Sequence, residues 1–375
     1  VVPGTLCIGL MSGTSIDAID AVLCEFDEEG RPRGVLGTHS APYPDALRLE
    51  LLDLQRRPDG AITLRDFARL DGAVGDRFAL AANALLRKLQ VTPERICAIG
   101  SHGQTVFHDP NGISTSLQIG DPNRIAAQTG ILTVSDFRRA DMARGGQGAP
   151  LVPAFHHAVF AASEHARVVL NIGGIANLTI LPGLHGEAAS GFDTGPGNAL
   201  LDEWIQRCKG EAYDRDGQWA ASGQVLAPLL SACLTDPYFA AAAPKSTGRD
   251  HFNLDWLFAR FPGLAACAAH DVQRTLLELS IESIGRAIEL IARPGTIELF
   301  VCGGGARNAR MMAGLATRLP RMQVRTTEHL GVDPAWVEAS AFAWLAWQTV
   351  HGRPGNLPAV TGASRAAVLG GLYKV

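Results

Sequence analysis

Short apolar runs alternate along the chain with longer stretches of helical periodicity, the pattern of an α/β protein. Leu6 to Leu10 and Ala18 to Phe26 read as strands joined by the small-residue segment MSGTSID (Met11 to Asp17), and Val35 to Ala41 predicts a third strand. From Leu64 to Leu89 the apolar positions Phe67, Leu70, Val74, Phe78, Leu85 and Leu89 share one face of a helix, as core packing requires. Strands are expected at Ile96 to Ile99 and Ile131 to Val134, with Asp121 and Pro122 as cap and first residue of a helix reaching Thr129. The strand, turn, strand design then returns at Val168 to Leu170 and Ile175 to Leu181, around Gly173 and Gly174. Asp271 to Ala292 predicts a long amphipathic helix, Ile297 to Val301 a strand opening into CGGGARN (Cys302 to Asn308), and Pro334 to Val350 a final helix.

A chain of 375 residues exceeds one small core, so two domains, or two lobes of one enzyme, are expected. A formal charge of -4 with no long basic block leaves no electrostatic footprint for nucleic acid or anionic lipid, which points to a small-molecule partner. The seven cysteines are odd in number, scattered and without a C-x-x-C pair, so neither a disulfide framework nor a metal cluster is expected. No run approaches the roughly 20 apolar residues that span a bilayer, and no basic segment followed by an apolar run opens the sequence, so we expect a cytoplasmic protein.

The chemistry gathers at glycine-rich turns. Amides at Gly173 and Gly174 are suited to phosphate oxygens, although an ordinary hairpin would use the same residues. The loop GFDTGPGN carries Asp193, and Pro196 is placed at the first position of the following helix, so that Asp193 stands just before a helix N-terminus, as a base or merely as a cap. SHGQTVFH (Ser101 to His108) crowds polar groups at a strand end, with His102 and His108 as metal ligands or hydrogen-bonded structural groups. SDFRRADMARGGQGAP (Ser135 to Pro150) reads as a hinge and part of a substrate pocket, and PKSTGRDHF (Pro244 to Phe252) carries Lys245 and Arg249, which meet either phosphate or solvent. CGGGARN would let backbone approach a flat ligand such as a nucleotide, or would simply turn tightly. The sequence has no G-x-x-x-x-G-K-[ST] and no H-R-D followed by D-F-G, which disfavours the other common ATP-using folds.

Ten blocks in order, GLMSGTSIDAID, SHGQTVFH, LQIGD, SDFRRADMARGGQGAPLVP, LNIGGIANLT, GFDTGPGN, PKSTGRDHF, CGGGARN, VEASAFAW and PGNLPAVTGA, closely resemble the anhydro-N-acetylmuramic acid kinase family over about Gly9 to Gly370. Ala18 and Ile19 stand where that family often has Gly-Val, and Asp250 where Glu is common.

The resemblance implies the two-lobed α/β fold of sugar kinases, heat-shock ATPases and actin (ribonuclease H-like), with ATP and Mg2+ in an interlobe cleft. Lobe I would hold residues 1–136 with 361–375, and lobe II residues 137–360. It places Gly13, Thr14 and Ser15, with Ile16, Ala18, Ile19 and Asp20, on a first phosphate loop, and Asp17 near the metal. Asn171, Gly173, Gly174 and Asn177 fall on a second phosphate loop, and Gly303, Gly304 and Asn308 near the adenosine. His102, Gln104, Arg138 and Asp141 become sugar-side contacts. Asp193 becomes the base that activates water, and Glu338 a partner that holds the same water or, alternatively, a helix-surface charge. The implied partners are an anhydrosugar and ATP, and the implied assembly a homodimer. A levoglucosan-type anhydrosugar kinase, a plain hydroxyl kinase and a non-catalytic nucleotide-dependent binding protein are the other readings these residues admit.

Overall fold

The computed structural model describes residues 4–57, 60–162, 165–183, 189–243, 245–249, 251–291 and 298–375. Pro244, Asp250, Ala292 and Ile297, which the sequence reading assigned to a loop, a helix and a strand, lie outside them. The chain divides into two compact units, Val1–Val159 with Trp336–Val375, and Phe160–Ala335. The boundaries expected at 136/137 and 360/361 both fall inside the first unit.

In the first unit, β1 (Thr5–Met11), β2 (Ala18–Phe26) and β3 (Pro32–Pro42) form an antiparallel meander, and β4 (Ile96–Ser101) adds to β1 in parallel. A separate hairpin joins β5 (Gln104–Asp109) to β6 (Thr115–Ile119). β7 (Thr133–Ser135) runs parallel to β4, and the C-terminal strand Gly371–Tyr373 closes that edge antiparallel.

Alternation along β1 and β4 sorts their side chains between two faces. Ile8, Leu10 and Ile99 join the core made with Leu70, Val74 and Phe78 of the helix Leu64–Leu89. Gly9 and Gly100 face the other way, toward the helix Val337–Val350. A Cβ on Gly9 would overlap the Ala339 carbonyl oxygen, and one on Gly100 the Phe342 carbonyl oxygen. The two glycines therefore let helix backbone lie directly on strand backbone, and this contact keeps the helix with the first unit. The stretch expected to be a hinge is also packed there: it contains the helix Phe137–Met142, whose Asp141 is fully buried.

The second unit repeats the design with β8 (Arg167–Ile172), β9 (Ile175–Leu181), β10 (Ser190–Pro196), β11 (Glu298–Cys302) and β12 (Gln323–Thr326). The order is β10-β9-β8-β11-β12, with β8, β9 and β10 an antiparallel meander and β8, β11 and β12 parallel. Val168, Leu170, Leu299 and Val301 pack with Leu200 and Trp204 of the helix Ala199–Lys209 and Leu276 and Ile284 of the helix Ala269–Ile291. A meander of three strands whose first strand is extended by parallel strands occurs once in each unit, which is the duplicated ribonuclease H-like α/β fold. No helix among the described residues is long and apolar enough to cross a membrane.

One local expectation changes. Pro196 ends β10 instead of starting a helix, and the helix begins at Ala199. Asp193 thus sits within a strand, paired opposite Asn177, because GFDTGPGN finds its hydrogen-bond partners on β9.

Gly100→Ala should lower stability by about 1–3 kcal/mol, since a helix carbonyl cannot move aside as a side chain can. Gly34→Ala is the control, because a Cβ there meets nothing within 4 Å. Equal melting temperatures for the two variants would contradict this packing.

Candidate active site

Direct pairing across the second sheet aligns Cys302, Asn171, Asn177 and Asp193, one from each of β11, β8, β9 and β10. Residues paired directly opposite project to the same face, so three separate sequence blocks supply one polar row. A bulge between Asp193 and Gly195 ends this register, and Gly195 adopts φ 140°, where a Cβ would press on the Phe239 ring.

Asp193 is held on three sides. Its amide donates to the Lys245 carbonyl at 3.1 Å, its own carbonyl accepts from the Tyr238 hydroxyl at 2.7 Å, and its Oδ2 accepts from the Thr247 amide at 3.0 Å. Lys245 does not reach across to the carboxylate; its Nζ donates to the Tyr238 carbonyl at 2.9 Å and lies 4.6 Å from that ring's centre. Burial lowers the Lys245 ammonium from its ordinary range, with the charge of Asp193 acting in the opposite sense. Burial first, and then Asp193, push the Tyr238 hydroxyl upward, so it stays a donor.

The Gly173–Gly174 turn is anchored through its carbonyls. Gly173 accepts from the Asn198 amide at 2.8 Å, and Gly174 from Gly197 and Ala199 at 2.9 and 3.0 Å. In a planar trans peptide the N–H points opposite the C=O, so anchoring the Gly173 carbonyl on the helix start aims the Gly174 amide away from it. The third glycine loop leans on the same strand end: Gly303, at φ 79°, leaves no room for a Cβ beside Asn171 Oδ1 and the Ile172 carbonyl. Gly304 is exposed, and Asn308 caps the helix Ala309–Arg318 by accepting from the Met311 amide at 3.1 Å.

In the first unit the β1–β2 loop is braced from beneath. Gln104 is fully buried; its Oε1 accepts from Ser12 at 2.7 Å and Tyr43 at 3.2 Å, and its Nε2 donates to the Gly13 carbonyl at 3.1 Å. Ile16, at φ 53°, drives its side chain into the core, an uncommon conformation for a β-branched residue that the packing enforces. Thr14 and Asp17 are left exposed, Gly13 and Ser15 half-buried, and the Asp17 carboxylate meets Arg48 at 3.2 Å. Ala18, Ile19 and Asp20 belong to β2, where Ile19 is core and Asp20 accepts from Ser40 at 2.7 Å.

His102 is buried, and its Nε2 receives Arg138 Nε at 3.1 Å and Nη2 at 2.9 Å. Arginine only donates, so this nitrogen is an acceptor and the ring is neutral; burial and then the Arg138 charge hold its pKa well below the ordinary value. Asp141 accepts from Gly148, Asn356 and Thr361 at 2.9, 2.6 and 2.8 Å. Gln104 and Asp141 therefore direct their polar atoms into the protein. His108 pairs with Ser116 at 3.0 Å, as its structural reading required. Glu338 is half-buried in the first turn of Val337–Val350, next to the Ala339 that Gly9 receives.

The sequence profile of the anhydro-N-acetylmuramic acid kinase family matches residues 5–375. A protein of that name from Shewanella oneidensis is 53% identical over 368 residues, which cover 98% of this chain and 98% of the relative. Its counterpart from Shewanella putrefaciens is 52% identical with the same coverage. This chain belongs to the anhydro-N-acetylmuramic acid kinase family. Among solved structures with lower identity to this family member, the activator of the 2-hydroxyisocaproyl-CoA dehydratase from Clostridium difficile with bound ADPNP has a TM-score of 0.48 at 12% identity, covering 92% of this chain and 96% of that one. A ROK family glucokinase from Streptomyces griseus in complex with glucose and AMPPNP has a TM-score of 0.39 at 13% identity, covering 92% of this chain and 99% of that one.

The residues of this kinase that hold Asp193 carry no motif of their own. Thr247 acts through its amide, which no side chain announces, and Tyr238 belongs to a short segment organised by Asp236. That carboxylate is buried, caps the segment by accepting from the Tyr238 amide at 2.9 Å, and also accepts from Trp256 at 2.8 Å and Arg260 at 2.6 Å. Burial alone would raise its pKa, but the Trp256, Tyr238 and His251 contacts together lower it from the ordinary 3.8. Because the folded value is the depressed one, Asp236 contributes its stability above pH 3.8 and loses it as pH falls through the folded value. Asp236→Ala should cost about 3 kcal/mol at pH 7 in urea unfolding, and the difference from wild type should shrink below pH 3.8. A pH-independent difference would refute the assignment.

Proposed function

We propose that this kinase uses ATP to open the 1,6-anhydro ring of 1,6-anhydro-N-acetylmuramic acid and places the γ-phosphoryl group on O6, as a step of peptidoglycan recycling. The observation that carries this reading is Asp193, a carboxylate set by main-chain and Tyr238 contacts in the polar row beside the Gly173–Gly174 turn. In such a substrate O6 is tied to the anomeric carbon by an ether, so no O6 hydroxyl is available. Water must attack the anomeric carbon, lose a proton, and break the bond to O6 while O6 takes the phosphoryl group. Asp193 is the proposed acceptor of that proton, and Glu338 the proposed second hold on the water. Sugar, ATP and water then give the 6-phosphate and ADP, with the phosphoryl group capturing the leaving oxygen that a glycosidase would protonate.

Gly13, Thr14 and Ser15, on a loop braced by Gln104 and Ile16, are the proposed first phosphate contacts, and Asn171, Gly173, Gly174 and Asn177 the second. Gly303, Gly304 and the capping Asn308 are proposed beside the adenosine. Among the described residues no three His, Cys, Asp or Glu side chains gather into a metal cage. An exposed Asp17 fits Mg2+ held chiefly by phosphate and water with one carboxylate, where its charge would offset that of the phosphates. On the sugar side, Arg138 with His102 is the proposed contact, and Gln104 and Asp141 act by fixing the loops behind it. A cytoplasmic setting is part of the proposal, supported by seven cysteines that are all free thiols.

Asp193→Asn keeps the shape and removes the base. Turnover of the anhydrosugar should fall by about 10²–10⁴-fold, while a non-hydrolysable ATP analogue binds as it does to wild type. Turnover at the wild-type rate would exclude Asp193 as the base.

A further inference from the structure

The segment that carries the Thr247 amide to Asp193 also carries Arg249 to the glycine turn. A Cβ built on Gly174 would lie 3.2 Å from Arg249 Nε and 3.3 Å from its Nη2, so the guanidinium rests directly over this turn. Its Nε is buried and has no hydrogen-bond partner among the described residues. A guanidinium N–H withdrawn from water without an acceptor is costly, and such a group usually marks a missing partner. Glu203 does not supply one: it faces Nη1 at 3.6 Å, an ion pair longer than a hydrogen bond, and its Oε2 accepts from the Leu254 amide at 3.2 Å. The side chain is nevertheless 30% exposed, so an incoming group can reach it.

The surroundings select the chemistry of that group. The anchored Gly173 carbonyl turns the Gly174 amide away from the helix start, and the guanidinium lies beside Gly174, so two kinds of N–H donor occur together. Neutral donors beside a planar cation suit a phosphate better than a sugar hydroxyl, because each of its oxygens accepts and its charge is matched. Glu203 keeps the cation in place without saturating it. The Asn253 side chain fixes the same backbone by donating to the Arg249 carbonyl at 3.0 Å.

We propose that Arg249 binds the terminal phosphate of ATP at the Gly173–Gly174 turn and stabilises it during transfer, and this rests on the kinase reading above. Lys245, the other cation of the segment, has no such part, since its ammonium is spent on the Tyr238 carbonyl and ring. One short segment then links the two halves of the reaction: Thr247 sets the carboxylate for water, and Arg249 holds the phosphoryl group as it passes to O6.

The test measures calorimetric binding of AMPPNP and ADP, each with Mg2+, to wild type, Arg249→Met and Arg249→Lys, alongside turnover of 1,6-anhydro-N-acetylmuramic acid. Arg249→Met should weaken AMPPNP about 10- to 100-fold, the worth of a charged hydrogen bond, and leave ADP near its wild-type affinity. Its kcat should fall more than its KM for the sugar rises, and Arg249→Lys should recover part of both losses. Unchanged AMPPNP affinity, or an equal loss of AMPPNP and ADP, would overturn the assignment, the second by placing the cation elsewhere on the nucleotide or making its role structural. A melting temperature measured without ligand identifies a variant that has merely unfolded; in that case Arg249→Lys, which keeps the charge but not the fork, decides by the same AMPPNP to ADP ratio. Absence of sugar turnover by wild type would instead remove the kinase reading, while the nucleotide affinities would still report on Arg249.

Discussion

The register of β10 on β9 is the constraint on which the site depends. Asp193 lies opposite Asn177, which lies opposite Asn171. A slip of one residue would send the carboxylate to the other face of the sheet and set Phe192, now core, in its place. The register is protected from both ends. Phe192 is anchored by burial before Asp193; after it the Gly195 bulge shifts the register, and the Gly197–Ala199 amides on the turn carbonyls hold the chain where the strand ends at Pro196. Beneath the turn, Ser280 of the long helix donates to the Gly197 carbonyl at 2.7 Å, which ties this end of the sheet to the core helix.

A second theme is support at one remove. Gln104, Asp141 and Asp236 are among the most buried polar side chains, and each is surrounded by donors and acceptors from distant parts of the sequence. Gln104 fixes the loop between β1 and β2, Asp141 joins the SDFRRAD block to PGNLPAVTGA, and Asp236 orders the segment that presents Tyr238 to Asp193. Buried polar groups of this kind are stable only when fully partnered, so they hold the neighbouring loops to one arrangement. The result is that several residues quoted in motifs act on the loops beside them.

The meanders were legible because alternation and small-residue turns are local properties: MSGTSID and NIGGIAN each announced two strands. The long helices were legible from their apolar faces. The unit boundaries were not, because composition makes 135–150 look like a linker, whereas Asp141 ties its helix to Asn356 and Thr361, and the Gly9 and Gly100 contacts bind the helix Val337–Val350 to the first sheet. GFDTGPGN misled in the same way. Its glycines and proline read as a loop leading into a helix, while the partner that makes it a strand lies on β9. Asp193 was singled out from its loop, but the groups that hold it were not, since an amide of Thr247 and a hydroxyl from the DPYF segment leave no motif. Arg249 was seen in PKSTGRDHF, yet only the three-dimensional contact with Gly174 separates it from an ordinary solvated cation.

In the proposed reaction, water attack at the anomeric carbon and phosphoryl transfer to O6 are one event. Its most direct test is the mass of the product formed from 1,6-anhydro-N-acetylmuramic acid and magnesium ATP in oxygen-18 water. One product is expected, carrying both a phosphoryl group and a single labelled oxygen, placed at the anomeric carbon. A phosphorylated product without the label, or a hydrolysed sugar without phosphate, would contradict it.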